Sequence, residues 1–133
     1  MRLSKAVFRY IENELFDYDA TKRAIDELSL DIIAERPRGP RSRSATSDPT
    51  AAKGIRLASN ATLLRMHRTI AAVDTALARL SDDHRRLYDL RYRKRLSWQR
   101  VCDEMSLSRT AYFDLRRSIV RLVAVHMGFS SLD

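Results

Sequence analysis

The sequence predicts an all-α protein. Three observations carry that prediction. There are only 3 glycines and 3 prolines in 133 residues. Alternating runs of Val, Ile and Thr, the mark of half-buried strands, are absent. Apolar side chains recur at three- and four-residue spacing along most of the chain. The expected architecture is an N-terminal helical hairpin over 1–36, a flexible basic linker over 37–49, a long connecting or oligomerisation helix over 50–80 and a helix-turn-helix over 81–133.

Residues 5–16, "KAVFRYIENELF", place Val7, Ile11 and Leu15 on one helical face with Phe8 and Phe16 beside it, and Ser4 is a plausible cap. "DYDATKRAIDELSLDIIAER" then sets Ile25, Leu28 and Ile32 at helical spacing. That helix ends near Arg36, because Pro37 disfavours helical geometry in the residue before it. With only Asp17 to Asp19 between them, the two helices form an antiparallel hairpin most easily. The stretch "RPRGPRSRSATSDP" holds all three prolines and four arginines but no large apolar side chain, which predicts a mobile basic tether. Such a tether either stays solvated or leans on nucleic-acid phosphate.

A long helix follows Asp48 and Pro49, in which Leu63, Met66, Ile70, Val73, Leu77 and Leu80 repeat with 3-4-3-4-3 spacing. This seam is shorter than three heptads, so it suits packing against neighbouring helices; a homo-oligomer through the 50–80 helix is its other use. Ser81 can cap the next helix, Asp82 and Asp83 suit its positive first turn, and Leu87, Leu90 and Tyr88 face inward. Arg93, Lys94 and Arg95 break the pattern. Ser97 can cap a helix with Trp98, Val101, Cys102 and Met105 on one face. Met105, Ser106 and Leu107 turn the chain, and Ser108 can cap the last helix. On that helix Tyr112, Leu115, Ile119 and Leu122 form a buried stripe, while Thr110, Phe113, Asp114, Arg117 and Arg121 lie on the opposite face, flanked by Arg109 and Arg116. Two helices joined by about three residues, the second with a basic face near its N-terminus, make a helix-turn-helix, and helix 108–125 fits a major groove by size.

Charge points the same way. The net charge is +8, which favours an anionic partner. Residues 1–35 carry 5 basic and 8 acidic side chains, net −3, whereas 36–133 carry 20 and 9, net +11. Cys102 is the only cysteine, so an intrachain disulfide and a cysteine metal cluster are excluded; inside this pattern it reads as a small apolar core residue. His67, His84 and His126 are too dispersed for a metal motif, and Asp82, Asp83 and Asp89 do not share a helical face, which argues against a metal-dependent nuclease. No enzyme activity and no cofactor are expected. The N-terminal stretch does not read as a signal peptide and no run approaches a bilayer span, so a cytoplasmic, nucleoid-associated protein without membrane contact is expected.

"LSWQRVCDEMSLSRTAYFDLRRSIVRL" resembles the helix-turn-helix of sigma-factor region 4. With "YIENELFDYDATKRAIDELSLDII" at the front, a linker and a long helix between, nearly the whole chain resembles the RinA/ArpU-like late-gene transcriptional activators of phages and prophages. The resemblance implies a DNA-binding activator of phage packaging and structural genes in a bacterial host, with double-stranded DNA as partner and host RNA polymerase as the machinery it would engage. Carried over by position, Arg109, Thr110, Phe113 and Asp114 fall on the base-reading part of the recognition helix, with Arg116 and Arg117 further along. Phe113 and Ala111 depart from the polar residues usual there, so the preferred DNA sequence does not transfer. Nothing resembles the sigma region that melts promoter DNA. The expected base contacts are Arg109, Thr110, Phe113, Asp114 and Arg117. The expected phosphate contacts are Arg93, Lys94, Arg95, Ser97, Arg100, Arg116 and Arg121. The alternative function is a small terminase-like packaging subunit, although those proteins usually place the DNA-binding module first.

Overall fold

Ser4, Ser81, Ser97 and Ser108 each sit in extended backbone, and each hydroxyl accepts a hydrogen bond from the amide three residues on, so four helices begin where the cap positions predict. The computed structural model describes residues 2–34 and 49–129. Its helices are α1 (Lys5–Phe16), α2 (Tyr18–Ala34), α3 (Pro49–Ala78), α4 (Asp82–Tyr88), α5 (Trp98–Met105) and α6 (Arg109–Met127), with a π-helical turn over Asp89–Arg93 after α4. No strand occurs among the described residues, and the fold is all-α. Pro49 opens α3, a position where its missing amide proton is no loss. Gly128 closes α6 in the left-handed region (φ 92°), letting the Phe129 amide donate to the Ala124 carbonyl at 3.0 Å. Apart from Pro49, the expected linker over 37–49 lies outside the described residues, as does the side chain of Ile32.

The chain forms two compact units, one of residues 1–18 and 69–133 and the other of residues 19–68. The second holds most of α2 and the first two-thirds of α3. Ile25 is buried there, whereas Leu30, Ile33 and Leu64 are exposed. The first unit holds one core, built from Ile11 and Leu15 of α1, Val73 and Ala76 of α3, Leu87 and Tyr88 of α4, Leu90 and Tyr92 of the π-helical turn, Val101 of α5 and five residues of α6. The segment boundaries expected from sequence are corrected here. The helices expected to form the 1–36 segment fall in different units, because the apolar face of α1 is committed to the core of the first. The helix-turn-helix unit does not begin at 81, because Val73 and Ala76 are fully buried in that same core. The α3 seam is therefore divided, and Val73, Leu77 and Leu80 serve the first unit.

The π-helical turn explains the broken pattern at 93–95. Its extra residue per turn swings Tyr92 back to the buried side, beside Tyr88 at 5.7 Å between ring centroids and Phe16 at 4.9 Å. Lys94 donates to the Asp89 carbonyl at 2.9 Å, the five-residue step that defines the turn. Arg95 then takes a left-handed conformation (φ 57°) and donates through Nη2 to the Phe16 carbonyl at 3.0 Å, tying the end of the turn to the end of α1.

Candidate nucleic-acid interface

Helix α5 ends at Ser106, which adopts the left-handed region at φ 54° and ψ 47°. This lets the Leu107 amide donate to the Cys102 carbonyl at 2.9 Å, and three residues after Ser106 the next helix has begun. This α5–turn–α6 unit stands where the sequence places the two helices of the expected motif. Trp98, Cys102 and Met105 of α5 lie partly buried against the core around the fully buried Val101. The Cys102 thiol is pushed above its ordinary value by burial and then by the Asp103 carboxylate, the direction opposite to that which activates a nucleophile.

On α6, Tyr112, Ile119, Val120, Val123 and Ala124 are buried. Thr110, Asp114, Arg117, Ser118 and Arg121 are exposed and share the opposite face. Arg109 is exposed at the first turn. Asp114 and Arg117 form an ion pair across one turn of the exposed face. Ser118 lies in the middle of this face and carries no charge or periodic signal to mark it in sequence. The buried arc is wider than the expected stripe of Tyr112, Leu115, Ile119 and Leu122, because α6 packs against α1, α4 and α5.

Two of the expected DNA contacts are engaged within the protein. Phe113 is partly buried, with its ring 5.0 Å from Tyr112 and 5.8 Å from Trp98, so it belongs to an aromatic cluster and not to the exposed face. Arg116, an expected phosphate contact, is engaged by α1. Its Nε and Nη2 donate to the two carboxylate oxygens of Glu12 on α1 at 2.8 and 2.6 Å, and its guanidinium lies 4.8 Å from the Phe8 ring. A bidentate, charge-assisted pair of this geometry fixes the guanidinium in place.

Tyr92 also donates to Glu12, at 2.6 Å. Burial pushes the Glu12 carboxyl up, but the hydrogen bonds from Arg116 and Tyr92 and the charges of Arg116 and Arg91 outweigh it, and the carboxyl is held below its usual value. A depressed carboxyl contributes stability above its unfolded value, lost as pH falls through its lower folded value. Thermal melts from about pH 6 down to about pH 3 should therefore show the wild type losing more stability below the ordinary glutamate value than Glu12→Gln does. Parallel curves would contradict the network.

The remaining phosphate candidates are unequal. Ser97 Oγ is engaged as the cap of α5, accepting from the Arg100 amide at 3.2 Å. Arg95 is engaged at the Phe16 carbonyl and lies 3.9 Å from Asp17. Arg100 faces Glu104 at 4.0 Å, an exposed pair of little energetic consequence. Arg93, Lys94, Arg100 and Arg121 are all exposed. Residues 69–129 carry 12 basic and 7 acidic side chains, net +5.

Among the described residues, no three His, Cys, Asp or Glu side chains converge as metal ligands. Asp89 instead faces Arg85 at 3.8 Å, and Asp82 and Asp83 stand exposed in the first turn of α4. No described helix is long and apolar enough to cross a membrane. A family model described as "Protein of unknown function (DUF722)" matches residues 10–124. The chain belongs to the DUF722 family. The matched span includes Glu12 and Arg116, all of α5 and the turn, and α6 as far as Ala124. No curated protein and no solved structure matches the chain.

Proposed function

We propose that this DUF722 protein is a sequence-specific DNA-binding transcriptional activator that inserts α6 into a major groove, of the kind that switches on late phage genes. The observation that supports it most is the α5–turn–α6 unit with one polar face left open: Thr110, Asp114, Arg117, Ser118 and Arg121 line a single side of a 19-residue helix whose other side is core. Arginine and threonine at such positions have the donors and acceptors to read base edges, and asparagine-sized carboxylates such as Asp114 can accept from cytosine. Arg93, Lys94, Arg100 and Arg121 would meet backbone phosphate. The promoter class rests on the resemblance to RinA/ArpU-like activators, and host RNA polymerase is the partner such an activator would engage.

Binding of this kind releases counterions. The affinity of the full chain for duplex DNA should fall steeply as salt rises, by about tenfold or more between about 50 and 200 mM. Fluorescence anisotropy on a labelled duplex measures it directly. Affinity indifferent to salt would remove DNA as the partner.

A further inference from the structure

Phe113 stands between two arginines of its own helix. The Arg109 guanidinium lies 5.7 Å from the ring centroid and the Arg116 guanidinium 5.5 Å. Trp98, at the start of α5, adds a second ring 5.3 Å from Arg109 and 5.8 Å from Phe113. At the other end Phe8 adds a third ring 4.8 Å from Arg116, which Glu12 fixes through two hydrogen bonds. Rings and guanidinium groups thus alternate from Phe8 of α1 through Arg116, Phe113 and Arg109 to Trp98, the first residue of α5. Arg116 is held by a carboxylate, so it is a fixed end of the series. Arg109 is exposed, and its described contacts are the two rings.

An exposed arginine samples many rotamers and must lose that freedom to form a bidentate bond to a base. Stacking on indole and phenyl rings confines the guanidinium plane without using its N–H donors, which remain available to a guanine edge. We propose that Trp98 and Phe113 are positioning residues for Arg109. They pre-order its guanidinium at the entrance of the recognition helix, so preference at one base pair depends on two side chains that do not themselves touch DNA. This rests on the DNA-binding reading above and reassigns Phe113 from base contact to platform.

The test uses the full chain and a duplex enriched from random sequence by the wild type. Binding is titrated on that duplex, on the same duplex with its Arg109-dependent base pair exchanged, and on a scrambled duplex, at several salt concentrations. Trp98→Leu should reduce discrimination between the first two by about two- to fivefold, leaving affinity for scrambled DNA and the salt slope unchanged. Phe113→Leu should do the same. In the Arg109→Ala background neither substitution should change discrimination further, which a loss of core packing would not reproduce. The inference is overturned if the leucine variants weaken all duplexes alike, retain full discrimination, or act equally with and without Arg109. If the Trp98 variant does not fold, Phe113→Leu alone decides, with Trp98→Phe as the ring-preserving control that must keep discrimination. A wild type that discriminates among no duplexes contradicts the DNA-reading proposal itself. Discrimination that Arg109→Ala abolishes and both leucine variants preserve contradicts only the positioning role.

Discussion

Deleting residues 2–18 should abolish the cooperative unfolding transition of the helix-turn-helix unit and not merely detach an accessory arm. Ile11 and Leu15 are 0% and 1% exposed, at the centre of the same core as Tyr92, Tyr112 and Ile119. Truncating one such side chain costs about 2–5 kcal/mol, against a whole-domain stability of about 5–15 kcal/mol. Losing both, together with Val7, Phe8 and Phe16, exceeds what the domain can absorb. Deletion also leaves the Arg116 guanidinium and the Tyr92 hydroxyl without Glu12. The point variant Leu15→Ala should lower stability by about 2–5 kcal/mol in urea denaturation followed by circular dichroism. Glu12→Ala should cost less, about 1–3 kcal/mol, since its partner Arg116 is 28% exposed in the side chain. A deletion variant with an unchanged melting transition would show that α1 is dispensable to the core.

Arg117→Ala should cost about 1–3 kcal/mol on a preferred duplex and much less on scrambled DNA. Arg117 is exposed in the middle of the open face of α6, and its ion pair with Asp114 holds it along that face. Lys94→Ala is the informative comparison. Lys94 caps the π-helical turn with its side chain in solvent, so its loss should weaken every duplex alike and reduce the salt slope by roughly one. Arg95→Ala is a poor substitute, because Arg95 has positive φ and holds the Phe16 carbonyl, and its removal perturbs the fold as well as the surface. Equal losses on both duplexes for Arg117→Ala would place it among the phosphate anchors.

Local chemistry made much of this molecule readable in its sequence. The four serine caps, the helix starts, the inward Leu87, Tyr88 and Leu90, the α5 face of Trp98, Val101, Cys102 and Met105, and the open face of Thr110, Asp114, Arg117 and Arg121 all follow from periodicity and capping, which act within a turn or two of helix. What the sequence concealed is long-range or phase-shifted. Glu12 and Arg116 lie far apart in the chain, and neither carries a local sign that it will find the other; by its position on the last helix Arg116 reads as a phosphate contact. Tyr92 was hidden because a π-helical turn adds a residue and breaks the period on which the inference depends. Phe113 looked exposed by helical phase, yet a ring at the edge of a polar face can lean onto a neighbouring helix, and Trp98 of α5 supplies the surface. Splitting a chain at a linker rich in proline and arginine also misleads when a helix further upstream, here α1, buries its apolar face in the core beyond it.

The most direct test of DNA reading by α6 is an enrichment of duplexes from a random pool by the full chain, run in parallel with Arg117→Ala. The account predicts that the wild type enriches a defined motif and that Arg117→Ala relaxes preference at one or two adjacent positions while keeping the rest. Enrichment of no motif by the wild type, or of an identical motif by both proteins, would contradict it.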